Sequence, residues 1–137
     1  MVSKVIYKGN LRTHATHIES GNAIITDGNG ESFSPPDLTA ASLGCCILTA
    51  MGRYAEKNGI TMDESIANVN KIMSEVPRRI GQITVDIFIN NSSSISPEHR
   101  KQLEEIGRNC SVCRSLHPDI KLIINITYLE DVVETKD

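Results

Sequence analysis

The chain of 137 residues has few aromatic side chains, with no Trp, two Phe and three Tyr. This scarcity removes the stacking platforms on which single-stranded nucleic acids usually bind. The 14 Lys and Arg residues are outnumbered by 17 Asp and Glu, and the basic residues are scattered along the chain. A surface of this charge does not attract a phosphate backbone. The composition therefore argues against a nucleic-acid partner.

Long hydrophobic runs are also missing. No segment reaches the roughly 20 apolar residues that a membrane-spanning helix needs, and the first residues lack the charged and apolar regions of a signal peptide. The sequence thus predicts a cytoplasmic protein without a membrane partner, folded as a single domain over residues 1–137. In a reducing compartment, its four cysteines are more often catalytic, redox-sensing or metal-bound than paired for structure.

One predicted helix organises the rest of the chain. Ser34, two prolines and Asp37 form a helix-start signal, because a hydroxyl and a carboxylate satisfy the free amides of a first turn. Apolar residues then recur every three or four positions on most sides of the helix. Gly59 supplies the left-handed residue that commonly ends a helix. We expect a long, buried helix that carries Cys45 and Cys46.

Alternating patterns predict strands on both sides of this helix. Three short antiparallel strands are expected before it, and three further strands after it, over residues 66–73, 80–89 and 120–128. A second, shorter helix is capped by Ser96 and ends near Cys110, and the acidic tail after Glu130 is expected to be loose. Strands interrupted by only two helices favour an α+β fold.

The Cys-x-x-Cys motif of Cys110 and Cys113 allows three interpretations. A zinc site is disfavoured, because the adjacent Cys45 and Cys46 point about 100° apart on a helix. A thioredoxin-like pair opens a helix directly after a strand, whereas this motif follows a helix. In the third interpretation, one helix cysteine and Cys110 act as attacking and resolving thiols beside a cation. Cys45 is expected to be inert, and a packing role for Cys46 stays open at this point.

Two stretches of the chain resemble the OsmC/Ohr family of thiol-dependent hydroperoxide reductases. Residues 34–38 (Ser-Pro-Pro-Asp-Leu) and 40–46 (Ala-Ala-Ser-Leu-Gly-Cys-Cys) are similar to the helix with the first family cysteine. Residues 110–112 (Cys-Ser-Val) resemble the segment with the second. The resemblance covers nearly the whole chain. It implies an OsmC-like α+β fold, with antiparallel sheets packed around a long central helix, in an intertwined homodimer with active sites at the subunit interface.

The resemblance also implies a thiol peroxidase without metal or other cofactor. The first family cysteine falls on Cys46, whose thiolate would attack a hydroperoxide and become a sulfenic acid. The second falls on Cys110, which would condense with that acid to give a disulfide. A dithiol reductant, lipoyl or thioredoxin-like, would reopen it. Arg12 corresponds to the activating Arg of the family, and Asp37 stands beside the position of its Glu, which is Pro36 here.

Several expectations about the site accompany this implied reaction. Asp37 is mainly a helix cap, with substrate binding as its other candidate role. Walls built from Leu43 and Ile47 would suit an organic hydroperoxide better than hydrogen peroxide. Cys113 is either a packing residue or an alternative resolving thiol. The competing functional hypothesis is a non-catalytic OsmC-like dimer that binds a small apolar ligand at its interface cleft.

Overall fold

The structure is a computed structural model that describes residues 1–131, so most of the acidic tail predicted to be loose lies outside the described residues. The chain forms two compact units, one of Met1–Thr39 and one that begins at Ala40. The strands are β1 (Ser3–Gly9), β2 (Arg12–His17), β3 (Ala23–Asp27), β4 (Ile66–Ser74), β5 (Arg79–Ile89) and β6 (Lys121–Tyr128). The α-helices are α1 (Pro35–Lys57), α2 (Pro97–Arg108) and α3 (Ser111–Ser115). These elements confirm the predicted α+β class.

The first unit contains an antiparallel sheet in the order β1-β2-β3, which confirms the three predicted strands. Val5 lies opposite Ala15, which in turn lies opposite Ile24. Tyr7 shares their face because side chains alternate along a strand. Val5, Tyr7 and Ile24 are 60%, 66% and 48% exposed. One face of this sheet therefore presents a row of uncovered apolar side chains.

Helix α1 begins and ends where the sequence predicts. The Asp37 amide donates to Ser34 Oγ at 3.1 Å, and the Ser34 amide donates to Asp37 Oδ2 at 3.0 Å, so each residue caps the other. At the other end, Gly59 adopts a φ of 66°, and the Ile60 amide donates to the Ala55 carbonyl at 2.8 Å. The helix is thereby closed at both ends by hydrogen bonds to otherwise free backbone groups.

The second sheet has the order β4-β5-β6 and is mixed, which corrects the expectation of antiparallel sheets. Strands β4 and β5 are antiparallel, but β6 runs parallel to β5, with Gln82 opposite Lys121 and Ile89 opposite Tyr128. The physical reason is the connection from β5 to β6. It contains α2 and α3 and brings the chain back to the end of the sheet where β5 begins, as a crossover between parallel strands must.

The core of the second unit forms between α1, α2 and the mixed sheet. Its central side chains are completely buried: Leu43, Ile47 and Met51 from α1, Ile83, Val85, Ile87 and Ile89 from β5, and Leu103 from α2. The alternation in β5 thus predicted its buried face correctly. Gly44 permits the close approach of α1 to β4, because a Cβ at this position would lie 2.7 Å from Val69 Cγ2. None of the helices within residues 1–131 has the length and apolar character required to cross a bilayer.

Candidate thiol site

Three of the four cysteines meet where α1 lies beside the start of α3. Cys46 is on α1, Cys110 is the N-cap residue of α3, and Cys113 lies in the first turn of α3. All are free thiols. Cys45 is exposed. The fold therefore brings together the two cysteines that the resemblance paired, and it adds a third.

Cys46 is half-buried and its sulfur lies 3.3 Å from Ser111 Oγ. Burial raises the pKa of a thiol, but here hydrogen bonds to the Cys46 sulfur outweigh the effect of burial. Hydrogen bonds from the Ser111 hydroxyl, the Val112 amide, the Cys110 thiol and the Ser111 amide together hold the pKa of Cys46 below its ordinary value. The two amides are among the backbone donors that the first turn of a helix leaves without helical partners. The α3 start therefore stabilises a thiolate at Cys46.

Cys110 lies in a different environment, with only 4% of its surface exposed. Its sulfur accepts a hydrogen bond from the Cys113 amide at 3.5 Å and lies 2.9 Å from the Cys113 sulfur. Burial raises the pKa of Cys110 to about 12, and the interactions of its thiol with the Cys113 and Cys46 sulfurs act in the same direction. Cys110 is therefore held as a neutral thiol beside Cys46.

Helix α3 is the element that sequence analysis missed. The sequence predicted that the Cys-x-x-Cys motif follows a helix, and it does, but the motif also opens a short helix with Cys110 at its N-cap. The missed signal is weak, because Cys is not a usual N-cap residue and five residues show no periodicity. His117 and Pro118 lie beyond this helix, where they lead toward β6.

A cavity of about 750 Å³ opens beside Cys46. Its lining includes Thr49 and Arg53 of α1, Glu105 of α2, and Arg114 of α3. The exposed lining surface is mostly apolar, as the sequence led us to expect, and these polar and charged side chains are set within it. Charged side chains of both signs at the cavity provide hydrogen-bonding groups for a polar or ionic part of a ligand.

Leu43 and Ile47, the predicted substrate-binding residues, lie elsewhere. Both side chains are completely buried in the core and do not line this cavity. The reason is helical geometry: they lie on the face of α1 that packs on the sheet, whereas Cys46 points toward α3. The sequence pattern identified them as apolar helix positions but did not distinguish core from cavity.

Arg12 and Asp37 belong to the first unit. The Arg12 guanidinium donates to Glu31 at 2.6 Å, and its Nε lies 3.6 Å from the buried carboxylate of Asp27. Asp37 caps α1, the role that sequence analysis favoured. The catalytic role of Arg12 and the substrate-binding role of Asp37 stay predictions. Within residues 1–131, no three His, Cys, Asp or Glu side chains are grouped as metal ligands would be.

The fold and the cysteine cluster define an α+β protein with a site built from thiols. The chain belongs to the OsmC-like protein family, whose model matches residues 28–125. The matched range includes Cys46 and Cys110 but not Arg12. Comparison with curated proteins gives no significant match.

Solved structures share this fold. A protein of Psychrobacter arcticus 273-4, provisionally named an osmotic stress induced and detoxification response protein, is 38% identical, with a TM-score of 0.86 over 92% of this chain and 95% of that chain. An organic hydroperoxide resistance protein of Elizabethkingia anophelis is 13% identical, with a TM-score of 0.69 over 93% and 96%. The organic hydroperoxide resistance protein OhrB of Bacillus subtilis is 18% identical, with a TM-score of 0.63 over 93% and 98%. The last two show similarity of fold alone.

Proposed function

We propose that this protein is a thiol-dependent peroxidase that reduces organic hydroperoxides through Cys46 and Cys110. The observation that supports this most strongly is the placement of Cys46. Its sulfur receives hydrogen bonds from the start of α3, contacts the Cys110 thiol and borders the cavity. A thiolate, not a thiol, is the nucleophilic form of cysteine. Two structural relatives are named for organic hydroperoxide resistance.

In the first step, the Cys46 thiolate attacks one oxygen of the hydroperoxide O–O bond. That bond breaks, so Cys46 becomes a sulfenic acid and an alkoxide leaves, taking up a proton to become an alcohol. The Cys46 sulfur is oxidised by two electrons and the peroxide is reduced by two. The donors that stabilise the thiolate are the Ser111 hydroxyl and amide and the Val112 amide.

In the second step, Cys110 resolves the sulfenic acid. Its sulfur gives up a proton and attacks the Cys46 sulfur; the S–O bond breaks and water leaves, which gives a disulfide. Before oxidation, Cys110 donates a hydrogen bond to the Cys46 thiolate and keeps its proton. Formation of the sulfenic acid removes that anionic acceptor, so Cys110 loses one of the interactions that keep it protonated. A lipoyl or thioredoxin-like dithiol then reduces the Cys46–Cys110 disulfide and restores both thiols.

The size of the cavity favours an organic hydroperoxide over hydrogen peroxide. A volume of about 750 Å³ falls in the range of pockets that hold drug-sized ligands, and is far larger than hydrogen peroxide needs. The apolar lining would contact the organic part of such a substrate, and Arg53, Glu105 and Arg114 would contact a polar or ionic part. We therefore expect faster turnover with an organic hydroperoxide than with hydrogen peroxide.

The proposal includes a homodimer. Val5, Tyr7 and Ile24 form an exposed apolar row on the first sheet. Contiguous exposed apolar surface commonly marks a protein–protein interface. A second copy of the chain is the partner that the family resemblance implies, and it would remove this row from water.

Hydroperoxide consumption by variants in which one cysteine is replaced by Ser tests the proposal. We expect the wild-type protein to consume cumene hydroperoxide catalytically with dithiothreitol, and Cys46→Ser to lose at least about a hundredfold in rate, because Ser is a far weaker nucleophile at neutral pH. Cys45→Ser is the matched control, since it removes the adjacent, exposed thiol. Equal rates for Cys46→Ser and the wild type would exclude Cys46 as the attacking thiol.

A further inference from the structure

The three clustered sulfurs form a chain in which Cys110 is the shared partner. On one side, the Cys110 thiol interacts with the Cys46 sulfur. On the other, the Cys110 and Cys113 sulfurs are 2.9 Å apart. The Cys113 thiol also donates to the Gly107 carbonyl at 3.9 Å. A reaction that joins Cys46 to Cys110 would therefore form its disulfide next to a third thiol.

We propose that Cys113 exchanges with the Cys46–Cys110 disulfide and moves it to Cys110–Cys113, a step that rests on the proposed function. Cys113 loses its proton to solvent, and its sulfur attacks the Cys110 sulfur. The Cys46–Cys110 bond breaks with its electron pair on Cys46, which is released as a thiolate. One disulfide replaces another, so the exchange needs no further oxidant or reductant.

The local geometry fits each part of this exchange. Cys110 and Cys113 lie at the N-cap and in the first turn of one short helix, and their sulfurs need to move by only about an ångström to reach the bonding distance of about 2.05 Å. The released group is also favourable. The hydrogen bonds that lower the pKa of Cys46 make it the better leaving thiolate, whereas the pKa of Cys110 is raised.

The exchange would separate peroxide reduction from regeneration by the dithiol. Cys46 returns to the thiolate form beside the cavity and is available for a second hydroperoxide. The oxidising equivalents are held between Cys110 and Cys113. Cys110 is almost completely buried, but Cys113 is only half-buried, so Cys113 is the sulfur that an incoming dithiol reaches more easily.

Peptide mapping of the full-length protein tests the proposal. Trypsin cleaves after Arg108 and Arg114, so residues 109–114 form one peptide with both Cys110 and Cys113, and residues 13–53 form another with Cys46. After one equivalent of cumene hydroperoxide, acid quenching and labelling with N-ethylmaleimide, we expect the 109–114 peptide to be unlabelled and two hydrogens lighter. The 13–53 peptide, which also contains Cys45, then carries two labels and is not cross-linked.

Two variants supply the comparison. Cys113→Ser, with Cys113→Ala as a second version in case the first folds poorly, should stop at a cross-link between the 13–53 and 109–114 peptides. Without reductant, it should consume one equivalent of hydroperoxide per chain, whereas the wild type consumes two and ends with a Cys46 sulfenic acid. Cys45→Ser removes a thiol outside the cluster and should still form the Cys110–Cys113 disulfide.

The failure of this proposal is distinguishable from failure of the proposed function. A persistent Cys46–Cys110 cross-link in the wild type, with one equivalent consumed by both wild type and Cys113→Ser, overturns the exchange and leaves the peroxidase intact. If Cys46 stays reduced in all variants, the peroxidase fails, and the exchange that depends on it fails as well.

Discussion

The reactivity of Cys46 depends on groups that are distant in sequence. Its neighbour along α1, Cys45, has the same side chain but is exposed, whereas Cys46 contacts Ser111 and the first amides of α3. The difference arises because successive residues of a helix point about 100° apart. A difference of one position along α1 thus determines which of the two cysteines is stabilised as a thiolate.

Ser111→Ala tests this assignment at the level of one hydrogen bond. Loss of the hydroxyl should raise the pKa of Cys46, since one donor to the thiolate is removed. Because the thiolate is the reactive form, alkylation of Cys46 by iodoacetamide falls as pH drops through that pKa. At pH values below the wild-type midpoint, we expect alkylation to slow roughly three- to tenfold, the scale of a charge-assisted hydrogen bond.

Ser115→Ala is the matched control for this experiment. Ser115 lies on the same short helix, but its hydroxyl donates to the Ser111 carbonyl rather than to Cys46. Its pH profile should follow that of the wild type. An unchanged profile for Ser111→Ala would show that the Ser111 hydroxyl does not stabilise the thiolate.

At the scale of elements, the sequence predicted what local signals determine. The caps of α1 follow from Ser34, Asp37 and Gly59, and the buried face of β5 follows from alternation. The sequence did not reveal that β6 runs parallel to β5, because direction depends on the path of a long connection rather than on any residue. It also missed α3, so the amides that face Cys46 could not be foreseen.

At the cavity, too, the sequence predicted some site residues but not the packing that decides which side chains line it. The sequence identified Cys46 and Cys110 through a family resemblance, and the structure brings them together. Leu43 and Ile47 were assigned to the site because they are apolar and close to Cys46 in sequence. Their burial shows that position on a helix face, set by packing against the sheet, decides which residues border the site.

Gly44→Ala tests the packing that positions Cys46. The added methyl group would lie 2.7 Å from Val69 Cγ2, so the Val69 side chain, α1 or β4 must shift. Overpacking of this kind costs about 1–3 kcal/mol, which should exceed the roughly 0.5–1 kcal/mol that Ala contributes over Gly in a helix interior. We expect a net loss of free energy of unfolding in urea.

Gly52→Ala on the same helix is the control, because its added Cβ would meet no heavy atom of residues 1–131 within 4 Å, apart from its chain neighbours and the backbone of its own helix. It should raise the free energy of unfolding by up to about 1 kcal/mol through helix propensity alone. If Gly44→Ala is as stable as Gly52→Ala, then α1 does not depend on close approach to β4 for its position.

At the scale of the whole molecule, the exposed apolar row of the first sheet is the surface to which the proposal assigns the dimer interface. Sedimentation should show a species of twice the 15.0 kDa chain mass. Ile24→Lys places a charge in the row and should weaken dimerisation by at least about tenfold, since burial of an unpaired charge is costly.

Ala23→Lys is the matched control for the dimer. It adds the same charge at the preceding residue, which points to the opposite face of the strand. This variant should sediment as the wild type does. A monomeric wild-type protein at micromolar concentration, or equal behaviour of the two variants, would contradict dimerisation through this face.

The most direct test of the proposed function is to find which cysteine becomes a sulfenic acid when the resolving thiol is absent. We would treat Cys110→Ser with one equivalent of cumene hydroperoxide and dimedone, which traps sulfenic acids, and locate the adduct by peptide mass spectrometry. Cys46 should carry the adduct, and one equivalent of alcohol should form. An adduct on Cys45 or Cys113 instead, or hydroperoxide left unreacted, would contradict a reaction that begins at the Cys46 thiolate.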